Sequence, residues 1–135
     1  MASIHREVLI DARPETVWSA LRDVGALHTR LVPGFVTDTR LEDGARVVTF
    51  GNGMVARELI VDVDDEAQRH SWSARSEPFT HHNASVQVFP EGEDECRVVW
   101  IADLMPNEVA DATSEMIEHG LDAMKRTLEN GSSGR

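Results

Sequence analysis

Cysteine and basic residues are scarce in this sequence of 135 residues, and each shortage excludes a class of function. The single cysteine, Cys96, has no partner for an internal disulfide, so nothing indicates secretion. Only 13 lysines and arginines stand against 24 acidic residues, which gives a net charge of −11. This charge argues against nucleic acid or an anionic membrane surface as the partner.

Long apolar runs and targeting signals are missing as well. No run approaches the roughly 20 apolar residues that a membrane-spanning helix needs. The first ten residues lack the basic start and continuous apolar core of a signal peptide. We therefore expect a cytoplasmic protein with one domain over residues 1–130, followed by a flexible tail of Gly, Ser and Arg at residues 131–135.

The sequence also lacks the motifs of metal, cofactor and nucleophile sites. The adjacent His81 and His82 would point to opposite faces of a strand, so both could not bind one ion. No spaced histidine pair, EF-hand loop or G-x-S-x-G motif occurs. Cys96 begins a predicted strand with no obvious base beside it, so it is expected to be a small buried residue. We predict no metal, no cofactor and no assignable catalytic residue.

The chain is organised around one long helix, predicted over residues 107–129. Pro106-Asn107 marks its start and Asn130-Gly131 its end. Residues at three- and four-residue steps give it one apolar or small face: Val109, Ala112, Met116, Ile117, Gly120, Leu121, Met124 and Leu128. Such a helix needs a broad apolar surface to pack against.

Short strands with regular turns can provide that surface. A strand is predicted over residues 3–11, followed by a helix that opens at Pro14 and by a short helical turn over residues 26–32. Six further strands are predicted near residues 36–41, 46–50, 55–63, 69–75, 82–89 and 96–104. The turns between them are too short for parallel crossovers, so the sheet must be antiparallel.

Alternation along these strands predicts which side of the sheet faces the helix. Each of the last four strands has one mainly apolar face, and three polar side chains interrupt those faces: Arg57, His70 and His82. If the faces line a cavity, the three could bind a carbonyl or carboxylate or move a proton. The alternative is that they reach solvent at the rim or pair with a nearby carboxylate.

Short motifs in this order resemble those of the START/Bet v 1-like (SRPBCC) superfamily, and within it the polyketide cyclase/dehydrase branch. The matching pieces are residues 12–18 (ARPETVW), 43–46 (DGAR), 57–59 (REL), Asp64, 96–100 (CRVVW) and Pro106. The resemblance implies an α+β helix-grip fold. In that fold a seven-stranded antiparallel sheet wraps around a long C-terminal helix, and two short helices follow strand 1.

The resemblance also implies a cavity between sheet and helix, because members bind lipids, sterols, polyketides and other hydrophobic molecules. The first hypothesis is binding of a small hydrophobic ligand by a monomer or homodimer. The alternative is a cyclase or dehydratase that uses His70, His82 or Arg57 in acid–base chemistry. A protein-interaction module like the chaperone-activator relatives ranks lower because their F-x-D-P-E-x-x-x-x-W opening is absent. A hormone receptor is disfavoured because Gly51-Asn52-Gly53-Met54 replaces the Ser-Gly-Leu-Pro-Ala gate.

Candidate ligand-binding residues combine the polar interruptions with apolar neighbours on the same faces. Trp72 and Trp100 could expose a ring edge to a ligand, although core packing is the simpler role for both. Met116 lies on the apolar face of the helix, where ordinary packing is again the simpler role. Gly120 lies on the same face and costs the helix about 1 kcal/mol relative to alanine; it is either simply tolerated or leaves room where a ligand or strand approaches closely. The predicted set is Arg57, His70, Trp72, His82, Trp100, Met116 and Gly120.

Overall fold

A seven-stranded antiparallel sheet and one long helix make up most of this computed structural model, which describes residues 1–133, with side chains through Asn130. The strands are β1 (Ala2–Ile10), β2 (Val36–Glu42), β3 (Ala45–Phe50), β4 (Val55–Asp64), β5 (Arg69–Arg75), β6 (His81–Pro90) and β7 (Cys96–Met105). They lie in the order β1-β7-β6-β5-β4-β3-β2. Helix α1 (Pro14–Arg22) and a π-helical turn (Leu27–Leu31) follow β1, and a 3-10 turn (Asn107–Val109) leads into α2 (Ala110–Ser133). The predicted helix-grip fold is confirmed.

The ends of all seven strands fall within one residue of their predicted positions, because Gly, Pro and Asp clusters mark the turns. The predicted end of the long helix at Asn130-Gly131 is wrong, since α2 continues to Ser133. Glycine costs a helix only about 1 kcal/mol and no proline follows it, so the helical backbone hydrogen bonds can continue. Of the predicted flexible tail, residues 131–133 belong to this helix, and residues 134 and 135 lie outside the described residues.

Helix α2 lies on the sheet near β1 and is fastened there by polar contacts at its C-terminal half. Lys125 Nζ donates to the Leu9 carbonyl oxygen at 2.8 Å, and the Asp11 backbone N–H donates to Glu129 Oε2 at 2.8 Å. A Cβ atom on Gly120 would lie 3.0 Å from the Trp100 ring on β7, so this glycine permits close approach to the sheet. Within the described residues, no helix is long and apolar enough to cross a membrane.

The predicted facing of β4 is wrong. Ala56 and Glu58 are buried on the inner face, whereas Val55 and Arg57 are exposed on the outer face. A register shift between Ile60 and Asp62 changes the alternation, so apolar residues before and after it do not share a face. The alternation of apolar residues along the whole of β4 therefore predicts the wrong face of this strand to be buried.

Two ion pairs lie on opposite faces of the sheet formed by β2, β3 and β4. On the inner face, Arg46 Nε lies 2.8 Å from Glu58 Oε1, and their side chains are 3% and 9% exposed. Arg46 Nη1 also donates to the Val24 carbonyl oxygen at 3.2 Å. On the outer face, Arg57 Nε lies 3.2 Å from Glu42 Oε1, with side chains 48% and 40% exposed. The first pair is removed from water and the second is not.

Substitution of Glu58 tests how much the buried pair matters. Glu58→Gln leaves the Arg46 charge buried without a counter-ion, which should lower the free energy of unfolding by about 3–5 kcal/mol. In the matched control, Glu42→Gln breaks the exposed pair between β2 and β4 and should cost at most about 1 kcal/mol. Urea denaturation measures both, and equal losses for the two variants would contradict this interpretation.

Candidate functional site

A cavity lies between the inner face of the sheet and α2. The space that the centre of a water-sized sphere can reach measures about 80 Å³. Its apolar wall comes from the π-helical turn, the strands and α2, and includes Leu27, Leu31, Phe35, Val48, Val86 and Ile117. Its polar side chains are Arg46, Glu58, His70, His82 and Thr113. The wall thus has the composition of a ligand pocket, mainly apolar with a few polar groups.

The structure places most of the predicted site residues on this wall. Five of them line it: His70, Trp72, His82, Trp100 and Met116. Gly120 does not line the cavity but lies next to two rings that do. A Cβ atom at this position would be 3.0 Å from Trp100 and 3.2 Å from Phe35. The prediction that Arg57 faces the cavity is wrong, since its side chain pairs with Glu42 on the outer face of the sheet.

His70 is held as a neutral imidazole with a defined tautomer. Its Nδ1 atom lies 3.1 Å from the Asp62 carbonyl oxygen, which can only accept, so Nδ1 carries the proton and donates. Burial, and then the positive charge of Arg46, lower the pKa of His70 from 6.5 to about 4. The Nε2 atom is therefore an uncharged acceptor near pH 7.

An aromatic row runs along the wall from His70. The His70 and Trp72 rings stack with centroids 5.1 Å apart, and Trp72 meets Trp100 edge-on at 5.8 Å. The Arg46 guanidinium carbon lies 5.4 Å from the Trp72 ring centroid, within cation–π range. These contacts fix the ring orientations and join the buried ion pair to the row.

His82 is a second neutral histidine on the wall. Burial, and then the neighbouring His81, lower the pKa of His82 from 6.5 to about 4. The ring of Phe79, from the loop before β6, lies 4.5 Å from the His82 ring between centroids. This loop therefore packs over the end of the strand that carries His82.

Sequence reasoning missed Arg46 and Glu58, the two charged groups on the cavity wall. Both occur in the family motifs, but the alternation of β4 assigned Glu58 to the other face. The residues pair directly across the β3–β4 ladder, and they lie equally far from Asn52 in the turn between the strands. An opposite-charge pair at matched distances from a glycine-rich turn was the signal that could have revealed them.

One part of the wall separates the cavity from the surface. Phe35, Phe50 and Met116 line both the cavity and a groove on the outside of the protein. An apolar cavity of about 150 Å³ accepts benzene, so a ring needs more room than the cavity has. Movement of these three side chains would enlarge it toward the groove.

Two other kinds of chemistry find no support in the described residues. No group of three or more His, Cys, Asp or Glu side chains among them could hold a metal ion. Cys96 is fully buried, and burial raises the pKa of its thiol to about 11, so it is a protonated packing residue near pH 7.

Several solved structures share this fold. The protein XoxI from Bacillus cereus is 20% identical with a TM-score of 0.83, over 95% of this chain and 96% of that one. A START superfamily protein from Mycobacterium smegmatis is 13% identical with a TM-score of 0.72, over 98% and 97%. The di-domain ARO/CYC protein BexL of the BE-7585A biosynthetic pathway is 17% identical with a TM-score of 0.80, over 96% of this chain and 47% of that chain.

Sequence comparison gives the family. No curated protein matches the chain in sequence. The family model for polyketide cyclase/dehydrase and lipid transport matches residues 1–129. Because that match spans nearly the whole sequence, and the fold agrees with it, the protein belongs to the polyketide cyclase/dehydrase and lipid transport family, within the START/Bet v 1-like fold.

Proposed function

We propose that the protein binds a small hydrophobic molecule in the cavity between the sheet and α2. The observation that carries the proposal is a cavity inside the fold with a mainly aliphatic and aromatic wall. Burial of apolar surface would supply most of the affinity, and the few polar groups would orient the guest. Membership in a family described by polyketide cyclisation and lipid transport supports the same class of ligand.

The wall between cavity and groove provides the adaptability that this function needs. Met116 has a flexible, polarisable side chain that can repack around different guests. Phe35 and Phe50 meet edge-on with ring centroids 5.6 Å apart, and both are only partly buried. A polyketide-, lipid- or aromatic-like guest would enlarge the cavity by displacing these side chains.

Catalysis of cyclisation or dehydration is the second candidate. Two histidines on the cavity wall favour it, and BexL, a structural relative, is an ARO/CYC protein. Its weakness is the low pKa of both His70 and His82, about 4, because a general base works best with a pKa near the working pH. Neutral imidazoles at pH 7 are better suited to accept hydrogen bonds, so binding comes first.

The cellular setting is part of the same proposal. We place the protein in the cytoplasm as a monomer or homodimer that does not bind nucleic acid. The net charge of −11 and the single buried cysteine support this placement.

Filling the cavity tests the binding site. Val86 is 2% exposed on the inner face of β6, and Val86→Phe should fill space that a guest needs. The dissociation constant of the neutral fluorescent probe N-phenyl-1-naphthylamine should rise about tenfold or more, equivalent to about 1.4 kcal/mol. Ile101→Phe on the outer face of β7 is the control, and equal probe affinity in the two folded variants would argue against this site.

The protonation state of His70 tests its assigned role. Since His70 stays neutral when folded but takes up a proton in the unfolded chain, its stabilisation is complete above pH 6.5 and is lost as the pH falls toward 4. One such group adds at most about 1.4 kcal/mol per pH unit to the slope of unfolding free energy against pH. His70→Phe should reduce that slope over this range, whereas the exposed His119→Gln variant should keep it.

Urea unfolding at several pH values measures the slope, and an NMR titration of the His70 ring measures its pKa directly. A His70 pKa near 6.5 in the folded protein would contradict the neutral-acceptor role. The same result would strengthen the acid–base candidate.

A further inference from the structure

Two polar atoms of the cavity-lining rings are buried and have no hydrogen-bond partner within the described part of the chain: His70 Nε2 and Trp100 Nε1. His70 is 1% exposed, and its other nitrogen is already used by the Asp62 carbonyl. A third such atom, Ser71 Oγ, belongs to a residue that does not line the cavity. Leaving a buried polar group unpaired costs about 1–3 kcal/mol of folding free energy. A bound molecule that forms hydrogen bonds with both ring atoms would remove this cost.

The two atoms have opposite hydrogen-bonding roles. Because Nδ1 of His70 carries the proton, its Nε2 can only accept. The indole Nε1–H of Trp100 can only donate. One guest molecule that satisfies both must therefore offer a donor at one place and an acceptor at another.

The sheet sets the backbone separation of the two residues that carry these atoms. His70 pairs with Val86, and Val86 pairs with Trp100, so the three residues form one rung across β5, β6 and β7. With neighbouring strands about 4.8 Å apart, the Cα atoms of His70 and Trp100 are about 10 Å apart. The Trp72 ring contacts both partner rings and offers apolar surface between them.

The charges around the pair favour a neutral guest. The Glu58 carboxylate and Arg46 guanidinium already neutralise each other at 2.8 Å. His70 is itself uncharged, so a charged guest would be buried without a counter-ion of its own.

We propose that His70 Nε2 and Trp100 Nε1 form an acceptor–donor pair that selects and orients a neutral guest carrying both a hydroxyl-type donor and a carbonyl- or ether-type acceptor. This inference rests on the proposed function. It adds the residues that discriminate such a guest from an apolar molecule of the same size.

Four probes of similar size test the pair by calorimetric titration. 4-Hydroxyacetophenone offers donor and acceptor, 4-ethylphenol mainly the donor, 4-methylacetophenone only the acceptor, and 4-ethyltoluene neither. His70→Phe should weaken the two hydroxyl probes about tenfold and leave the other two nearly unchanged. Trp100→Phe should instead weaken the two ketones by a similar factor.

Each variant is compared with itself across the four probes, so a general loss of packing cancels. Trp72→Phe is the control, because it alters the apolar surface between the two atoms and should change all four affinities alike. The charged 4-hydroxybenzoate should bind the wild type at least about tenfold more weakly than 4-hydroxyacetophenone.

The titrations distinguish a cavity that binds without using these two atoms from a cavity that does not bind at all. If each variant changes all four affinities equally, the pair does not discriminate, but the cavity still binds small molecules. Tighter binding of 4-hydroxybenzoate would overturn the neutral-guest part. If the wild type binds none of the four at millimolar concentration, both the proposed binding function and this inference are wrong.

Discussion

A single α-helix is too narrow to cover a seven-stranded sheet. The helix is about 10–12 Å across, whereas each added strand widens the sheet by about 4.8 Å. Helix α2 is fastened to the end of β1 by Lys125 and Glu129, which leaves the inner faces of the middle strands uncovered. The π-helical turn and Phe35 cover part of that surface, and the space that remains is the cavity. The cavity is thus a consequence of the architecture.

The charged and titratable side chains on the cavity wall leave almost no net charge there near pH 7. Arg46 and Glu58 neutralise each other within the wall, and His70 and His82 remain uncharged near pH 7 because burial lowers the pKa of each. A neutral, mostly apolar interior retains the driving force for an apolar guest. Within the described residues, His70 Nε2 and Trp100 Nε1 are the buried polar atoms of the wall that have no hydrogen-bond partner.

The sequence predicted the fold well because its turns are marked by glycine, proline and aspartate. Uninterrupted alternation in β5, β6 and β7 was enough to place His70, Trp72, His82 and Trp100 on the cavity side. In β4 the same reasoning failed, because the shift between Ile60 and Asp62 changes the alternation and no single strand reveals it. Arg46 and Glu58 were missed because a buried charge needs an opposite charge beside it. Here that partner lies on the neighbouring strand, and the pattern along one strand does not show it. Cavity size and unpartnered atoms depend on packing in three dimensions, which no linear pattern contains.

We expect a guest molecule to occupy the space between the sheet and α2. A high-resolution crystal structure of the protein soaked with indole, a small neutral aromatic molecule, tests this most directly. Indole should bind in the cavity beside Trp72 and Trp100, with Phe35 or Met116 displaced toward the outer groove. Indole bound only on the outside, with side chains of the sheet and α2 meeting across a filled interior, would contradict it.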